Sequence, residues 1–256
     1  MAAREINLKD VLDYCWCAKY YELKNQNPNE CNLKELYDNT LHKVFYSYLL
    51  ALQRDTLKDG MGFLKFKWGK EWIKQKTNSQ IICTPSAMKR DTYDAKRKAG
   101  IDAIITFNEL MDTPQFPIII NKEYEIPIGK DIVLRGRWEY IREIELPNGQ
   151  RRIQIMKFKT ENNRFQILSQ MNHDLELTAA AYAFEHTFNA TEFDLLYVDI
   201  YKKKIISSVR GPKDYQLLKN TVTSAVTCIQ NNIRLISPDK RCYHCEYRNI
   251  CKASME

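Results

Sequence analysis

Apolar residues recur with helical spacing through most of the first 112 residues. Between residues 7 and 24 they fall at every third or fourth position, which predicts one helix with Asn7 as its N-cap. Two further helices are expected over residues 33–57 and 86–111. The N-terminal part of the chain is therefore expected to be mostly helical.

The spacing of apolar residues changes to that of β-strands after residue 112. Strands are expected over residues 116–120, 123–128, 132–144 and 152–160. Residues 147–149, Pro-Asn-Gly, predict a tight turn between the last two strands, because Asn-Gly readily adopts the positive φ angles of hairpin turns. Trp138 and Phe158 fall on these strands, and we expect them to pack in the core rather than to stack on nucleic-acid bases.

A helix rich in Ala and Leu is expected over residues 168–187, followed by strands at 193–201 and 204–210. A last helix begins at Pro212, since proline is tolerated in a first helical turn, and runs to about residue 235. The Ala-rich helix thus crosses over from a strand meander to the next two strands. This order is typical of an α/β core with a mixed sheet flanked by helices.

The composition suits one domain, with 256 residues of which 44% are hydrophobic. We expect a helical part, an α/β core and a cysteine-rich tail, at residues 1–112, 113–235 and 236–256. No apolar stretch approaches the roughly 20 residues that cross a bilayer, and the N-terminus lacks an apolar secretory segment, so a cytoplasmic protein without a membrane partner is expected. The 39 Lys and Arg against 32 Asp and Glu favour a polyanionic partner without establishing one.

Eight cysteines in such a chain indicate metal or redox chemistry rather than a disulfide framework. Cys242, Cys245 and Cys251 form a Cys-x2-Cys-x5-Cys tail that can surround one soft metal centre. Thiolates are favoured ligands of both iron–sulfur clusters and zinc. Three thiolates leave one ligand position to be filled from elsewhere in the chain.

This tail and residues 13–21, Asp-Tyr-Cys-Trp-Cys-Ala-Lys-Tyr-Tyr, together resemble the RecB-type exonucleases that carry an iron–sulfur staple. That group includes the CRISPR-associated exonucleases and the exonuclease V proteins. The resemblance implies that one early cysteine joins the three late ones around a 4Fe–4S cluster, with Cys17 as the early ligand and Cys15 as its competitor. Ala18 departs from the proline that often follows this cysteine. The alternative is a zinc site with His244 or Cys15 as the fourth ligand.

The resemblance extends over most of the chain and implies a restriction-endonuclease-like core of the PD-(D/E)XK nuclease superfamily. His42 stands where the family has a helical histidine that contacts the metal. Residues 136–139, Gly-Arg-Trp-Glu, correspond to the family's Gly-x-x-Asp, with Glu139 as the ligand. Residues 156–159, Met-Lys-Phe-Lys, correspond to the strand that carries Asp-x-Lys. His42, Glu139 and Lys159 are the implied catalytic residues.

Lys157 stands at the position of the second metal-binding aspartate, where the family needs a carboxylate. Lys157 and Lys159 are expected on one face of their strand, because side chains alternate along it. A lysine in place of a carboxylate changes the local charge by two units, and each charge pair is worth about 4 kcal/mol at 4 Å and an effective dielectric constant near 20. Binding of Mg²⁺ or Mn²⁺ by His42 and Glu139 should therefore be weak. Glu176 is the candidate compensating ligand.

Three functions follow from this resemblance. The first is an inactive or impaired nuclease that binds single-stranded or end-containing DNA in phage or prokaryotic replication, recombination or processing, with phosphates contacted by Arg135, Arg137, Lys157 and Lys159. The second is an active metal-dependent exonuclease or endonuclease with a rearranged site that uses Glu176. The third is a structural subunit of a replication, recombination or CRISPR-type assembly.

Overall fold

The computed structural model describes residues 4–27, 30–78, 80–82, 92–112, 115–160, 174–234, 242–243 and 245–251. In chain order its elements are β1 (Arg4–Asn7), α1 (Leu8–Trp16), α2 (Ala18–Gln26), β2 (Glu30–Asn32), α3 (Leu33–Gln53), α4 (Gly60–Asn78), β3 (Gln80–Ile82), α5 (Tyr93–Leu110), β4 (Phe116–Ile128), β5 (Ile132–Glu145), β6 (Arg151–Lys159), α6 (Leu175–Phe188), β7 (Asp194–Asp199), β8 (Lys204–Ser208) and α7 (Pro212–Gln230). None of the helices in these ranges has both the length and the apolar composition needed to cross a membrane.

A mixed six-stranded sheet is built around the long strand β5. β4 pairs antiparallel along one edge of β5. The other edge is shared by β1, which runs parallel to the first part of β5, and β6, which runs antiparallel to its last part. β7 then adds parallel to β6, and β8 antiparallel to β7. Because β6 and β7 are parallel, the chain must cross over between them, and α6 lies in this connection as the sequence predicts.

The predicted hairpin between β5 and β6 is confirmed. Gly149 has a φ of 78°, and the Leu146 amide donates to the Gln150 carbonyl at 2.8 Å. The two strands predicted at 116–120 and 123–128 are one strand, β4, and that prediction was wrong. Both segments pair with the same partner β5, so the ladder continues past Asn121, although this residue has a positive φ of 48°.

The single helix predicted over residues 7–24 was also wrong, because the helix is interrupted at Cys17. The backbone of Cys17 is extended, with φ −168° and ψ 122°, and separates α1 from α2. Asn7 occupies the N-cap position of α1, but its side chain makes no capping hydrogen bond. Asn7 instead ends β1, a strand that the sequence pattern did not predict and that places the N-terminal part of the chain in the central sheet.

Helices cover both faces of the sheet and form two apolar cores. One core joins the sheet to α1, α6 and α7 and contains Trp138, and the other joins it to α3, α4 and α5 and contains Phe158. Both aromatic side chains are buried, which confirms their expected role in packing. α4 was not predicted, and the first parts of the helices predicted at 86–111 and 168–187 lie outside the described residues.

Candidate functional site

A cleft of about 830 Å³ lies between α3, the carboxyl end of β6 and the N-terminus of α6. It contains most of the charged positions singled out in the sequence. Its charged lining includes Asp38, His42, Lys43, Lys157, Lys159, Asp174 and Glu176. Glu139 lines an adjoining cleft of about 610 Å³ that shares Lys157 and Glu176. The fold therefore brings together residues from distant parts of the chain, which are His42, Glu139, Lys157, Lys159 and Glu176.

Lys157 is held by two carboxylates from the start of α6. Its Nζ lies 3.0 and 3.3 Å from the two carboxylate oxygens of Asp174, and it also contacts the carboxylate of Glu176. Asp174 is the N-cap of α6, and its Oδ1 accepts a hydrogen bond from the Leu177 amide at 2.9 Å. The side chains of Lys157 and Asp174 are each 17% exposed, so this ion pair is largely shielded from water.

The electrostatics of this pair favour its charged form. Burial alone would lower the pKa of Lys157, but Glu176, Asp174 and Glu139 together hold it well above its usual value. Burial would raise the pKa of Asp174, yet Lys157 and the Leu177 amide bring it below its usual value. Lys157 is therefore an ammonium ion among three carboxylates.

Glu139 and His42 form a second group on the other side of Lys157. The Glu139 Oε2 accepts a hydrogen bond from the Phe158 amide at 2.8 Å and lies 3.7 Å from the His42 Nδ1. The same Nδ1 is 3.0 Å from the hydroxyl of Tyr46, and the His42 Nε2 is 3.6 Å from the Asp38 Oδ1. Burial raises the pKa of Glu139 even though His42 and Lys157 act in the opposite direction.

Lys159 also has a carboxylate partner. Its Nζ lies 3.4 Å from the Oδ2 of Asp199, which is fully buried at the end of β7. The Oδ1 of Asp199 accepts a hydrogen bond from the Lys202 amide at 2.9 Å. Lys157 and Lys159 thus project into one cleft, as strand alternation predicts. Each forms an ion pair with a carboxylate.

Three acidic residues of this region were missed in the sequence. Asp38 lies one helical turn before His42, Asp174 stands at the start of α6, and Asp199 ends the apolar strand β7. Asp38 could have been identified from its position one helical turn before His42, whereas Asp174 falls inside the helix predicted over residues 168–187 and gave no such signal. Asp199 becomes visible only once β7 is known to run parallel to β6, because its position beside Lys159 follows from that pairing.

The two arginines predicted to contact phosphate are also paired with carboxylates. Arg135 lies 2.9 Å from both Glu5 and Glu125, and Arg137 lies 2.6 Å from Glu123. These ion pairs are partly exposed, so each is worth little stability. They nevertheless offset the positive charge that this strand would present to a phosphate.

The late cysteines lie against the break between α1 and α2. Cys245 is buried and packs with Leu23 and Tyr247 in a small apolar cluster that Cys251 joins. Burial raises the pKa of Cys245 to about 11, and Cys17 and Cys251 are close enough to add to this rise. The Cys245 amide donates to the Cys242 carbonyl at 3.3 Å, which folds the tail into a turn.

Cys15 faces in a different direction from Cys17. Its side chain is exposed overall. Partial burial is the larger cause of the rise in its pKa, and the nearby thiol of Cys228 on α7 adds to that rise. His244, the other alternative ligand, lies outside the described residues. Among the residues the structure describes, no three His, Cys, Asp or Glu side chains are arranged to hold a single metal ion.

The mixed sheet with helices on both faces fits a restriction-endonuclease-like fold. A family model described as the PD-(D/E)XK nuclease superfamily matches residues 18–252, and the chain belongs to this superfamily. No curated protein matches the chain.

Among solved structures, the crystal structure of SSO0001 is 14% identical and is aligned over 97% of this chain and 94% of that chain. Its TM-score of 0.34 is too low to support an argument about fold or function.

Proposed function

We propose that this protein binds DNA through a nuclease-like fold in which catalysis is lost or impaired. The observation that carries this proposal is the contact of Lys157 with Asp174 and Glu176. Enzymes of this kind need carboxylates that are free to bind Mg²⁺ or Mn²⁺, which polarises the phosphate and activates water. Here the carboxylates at the start of α6 already have a cation from within the chain.

The charge of Lys157 also opposes metal entry. A divalent ion about 4 Å from an ammonium group would be repelled by about 8 kcal/mol at an effective dielectric constant near 20, twice the value for two unit charges. Glu139 and His42 alone offer a carboxylate and an imidazole at 3.7 Å from each other. Lys157 thus cancels the attraction of about one carboxylate and occupies Asp174 and Glu176, so the remaining ligands should hold a divalent ion only weakly.

We also propose that the protein carries a 4Fe–4S cluster bound by Cys17, Cys242, Cys245 and Cys251, as in the RecB-type proteins that it resembles. The proximity of Cys245 to Cys17 and Cys251 supports this ligand set, and the orientation of Cys15 towards Cys228 argues against the competitor. A zinc ion needs four ligands within roughly 2.3 Å of one point. A 4Fe–4S cluster instead binds its four thiolates at separate irons, so its ligands lie farther apart.

DNA is the partner that the superfamily suggests, and the net charge of +7 is consistent with a polyanion. We propose a role in phage or prokaryotic DNA replication, recombination or processing, which the resemblance to RecB-type proteins favours. A structural role in such an assembly without DNA contact would be favoured if the protein had no salt-dependent affinity for DNA.

The test is a cleavage assay on labelled single-stranded and double-stranded DNA with Mg²⁺ and with Mn²⁺, with binding measured in the same samples. We expect affinity that falls steeply with salt and no cleavage with either ion. Cleavage that depends on Mn²⁺ would contradict the proposal.

The second candidate function is an active nuclease with a rearranged site. It is favoured by the number of carboxylates around the cleft, since Asp38, Asp174 and Glu176 lie beside it in addition to Glu139. In that case cleavage would be lost in both Glu176→Gln and Asp174→Asn. Glu192→Gln is the matched control, because Glu192 is exposed and lines neither cleft.

A further inference from the structure

The outer face of α4 combines exposed apolar side chains with lysines. Its inner face is formed by Leu64, Trp68 and Trp72, which are spaced by four residues and buried in the core. On the outer face, Phe66 is 66% exposed and Ile73 is 59% exposed. Neither side chain contributes to the core, so folding alone does not account for their apolar character.

Five lysines give α4 a strongly positive charge. The helix holds a single acidic residue, Glu71. Its five lysines are Lys65, Lys67, Lys70, Lys74 and Lys76. None of them forms an ion pair with another residue in the part of the chain that the structure describes. Lys70 and Lys74 are both exposed and one helical turn apart, a like-charge spacing that slightly destabilises a helix. A bound anion would offset that repulsion.

The start of α5 extends the basic surface. The indole Nε1 of Trp68 donates to the Arg97 carbonyl at 3.1 Å, which fixes the first turns of α5 against α4. A Cβ on Gly100 would lie 1.9 Å from the Trp68 ring, so only glycine permits this approach. Arg97 and Lys98 are exposed beside α4 as a result.

The same helix reaches the charged cleft. Gln75, near the carboxyl end of α4, lines the 830 Å³ cleft together with Lys43 and Lys157. The cleft therefore begins beside the carboxyl end of α4. Lys157 and Lys159 inside the cleft are paired with carboxylates, whereas the exposed Lys70 and Lys74 form no ion pair within the described ranges.

We propose that the outer face of α4, defined by Phe66, Lys70, Ile73 and Lys74, is the surface that binds single-stranded DNA. Arg97 and Lys98 extend this surface. The lysines contact successive phosphates, and Phe66 stacks on a base, the combination by which proteins bind single strands without reading sequence. This inference rests on the proposed DNA-binding function and assigns the contact to α4 rather than to Arg135 and Arg137.

The experiment compares Lys70→Glu/Lys74→Glu with the control Lys130→Glu/Lys213→Glu, using the full-length protein and a labelled single strand at several salt concentrations. Lys130 lies in the β4–β5 turn and Lys213 on α7, which packs on the opposite face of the sheet. We expect the α4 pair to weaken binding by at least about tenfold and to lower the salt slope by about 1.4, or about 0.7 for each phosphate that is no longer neutralised. The control should change both quantities much less, and both proteins should keep the wild-type melting temperature.

A third variant, Phe66→Ala, separates stacking from charge. We expect it to weaken single-strand binding by about tenfold with an unchanged salt slope. If the wild type binds DNA but the two charge variants lose affinity equally, this inference is wrong while the proposed function stands. If the wild type does not bind DNA, the proposed function fails first, and an acidic protein becomes the partner to test.

Discussion

Lys157 determines what chemistry the cleft can perform. In this superfamily its strand position is expected to hold a carboxylate, and here it holds an ammonium ion between Asp174 and Glu176. Lys157 joins the carboxylates of β5 and α6 within the cleft. Under the proposed function, it stands in place of a metal ion that would also bind the substrate and a water molecule.

A first prediction concerns the stability of this ion pair. Asp174→Asn keeps the N-cap of α6 but removes its charge, so it should destabilise the protein by about 2 kcal/mol, less than the roughly 3–5 kcal/mol typical of a broken buried pair because Glu176 remains. The double variant Lys157→Met/Asp174→Asn should recover part of this loss. Urea denaturation measures both values. The Lys157→Met single variant completes the cycle. If the loss of unfolding free energy in the double variant equals or exceeds the sum of the losses in the two single variants, the pair is not favourable.

The sequence was sufficient to identify the residues of the cleft that lie in recognisable motifs. His42, Glu139, Lys157, Lys159 and Glu176 line two adjoining clefts, and their roles there stay predictions. It was not sufficient to identify their partners, because a carboxylate such as Asp174 has no motif of its own. Its role depends on where the chain returns to the sheet, which is information about tertiary structure.

At the scale of elements, the interruption at Cys17 separates two helices that the sequence presents as one. Apolar spacing continues across this residue, so periodicity alone predicts a continuous helix. The extended conformation of Cys17 becomes understandable only from its surroundings, since α1 packs on the sheet while α2 packs against the cysteine-rich tail. Contacts between distant segments have overridden the local preference.

α4 was missed for a related reason. Its lysines and glycines weaken the apolar pattern, and its buried face is only one residue wide per turn, at Leu64, Trp68 and Trp72. Large aromatic side chains compensate for this narrow face, because each buries a large apolar area. The strand β1 was not predicted because a segment of four residues is too short to show a repeating apolar pattern.

A second prediction tests the contact of α4 with α5. Gly100→Ala should destabilise the protein by about 1–3 kcal/mol, because the added methyl group overlaps the buried Trp68 ring. Gly69→Ala on α4 is the matched control, since no atom lies within 4 Å of its added Cβ. The control should stabilise the protein by about 0.5–1 kcal/mol, the usual advantage of alanine over glycine in a helix. Equal effects in thermal denaturation would contradict the close approach.

At the scale of the whole molecule, the two ends of the described chain meet. The hydroxyl of Tyr20 donates to Glu246 at 3.1 Å, and the Asn32 amide donates to the same carboxylate at 3.2 Å. The tail thereby encloses most of the protein in one loop. Any link at this point, including a bound cluster, stabilises the fold by restricting the unfolded chain.

A third prediction follows for the cysteine site. Cys245→Ser should abolish the visible absorbance of the purified protein, reduce its iron and sulfide content and lower its melting temperature by several degrees. Cys228→Ser is the control, because Cys228 lies near Cys15 and not near Cys245. Unchanged colour and melting in Cys245→Ser would rule out the cluster. Loss of zinc in place of iron would support the alternative metal.

The charge balance of the entire cleft gives the most direct test of the proposal. Replacing Lys157 by aspartate removes the internal cation and leaves Glu139, Asp174 and Glu176 around a new carboxylate. Isothermal titration calorimetry with Mn²⁺ should detect no binding to the wild type at millimolar concentrations, and clear binding to Lys157→Asp. The neutral variant Lys157→Met should fall between them. Equal Mn²⁺ binding by the wild type and Lys157→Asp would contradict the account, since Lys157 would then not be what prevents metal from entering the cleft.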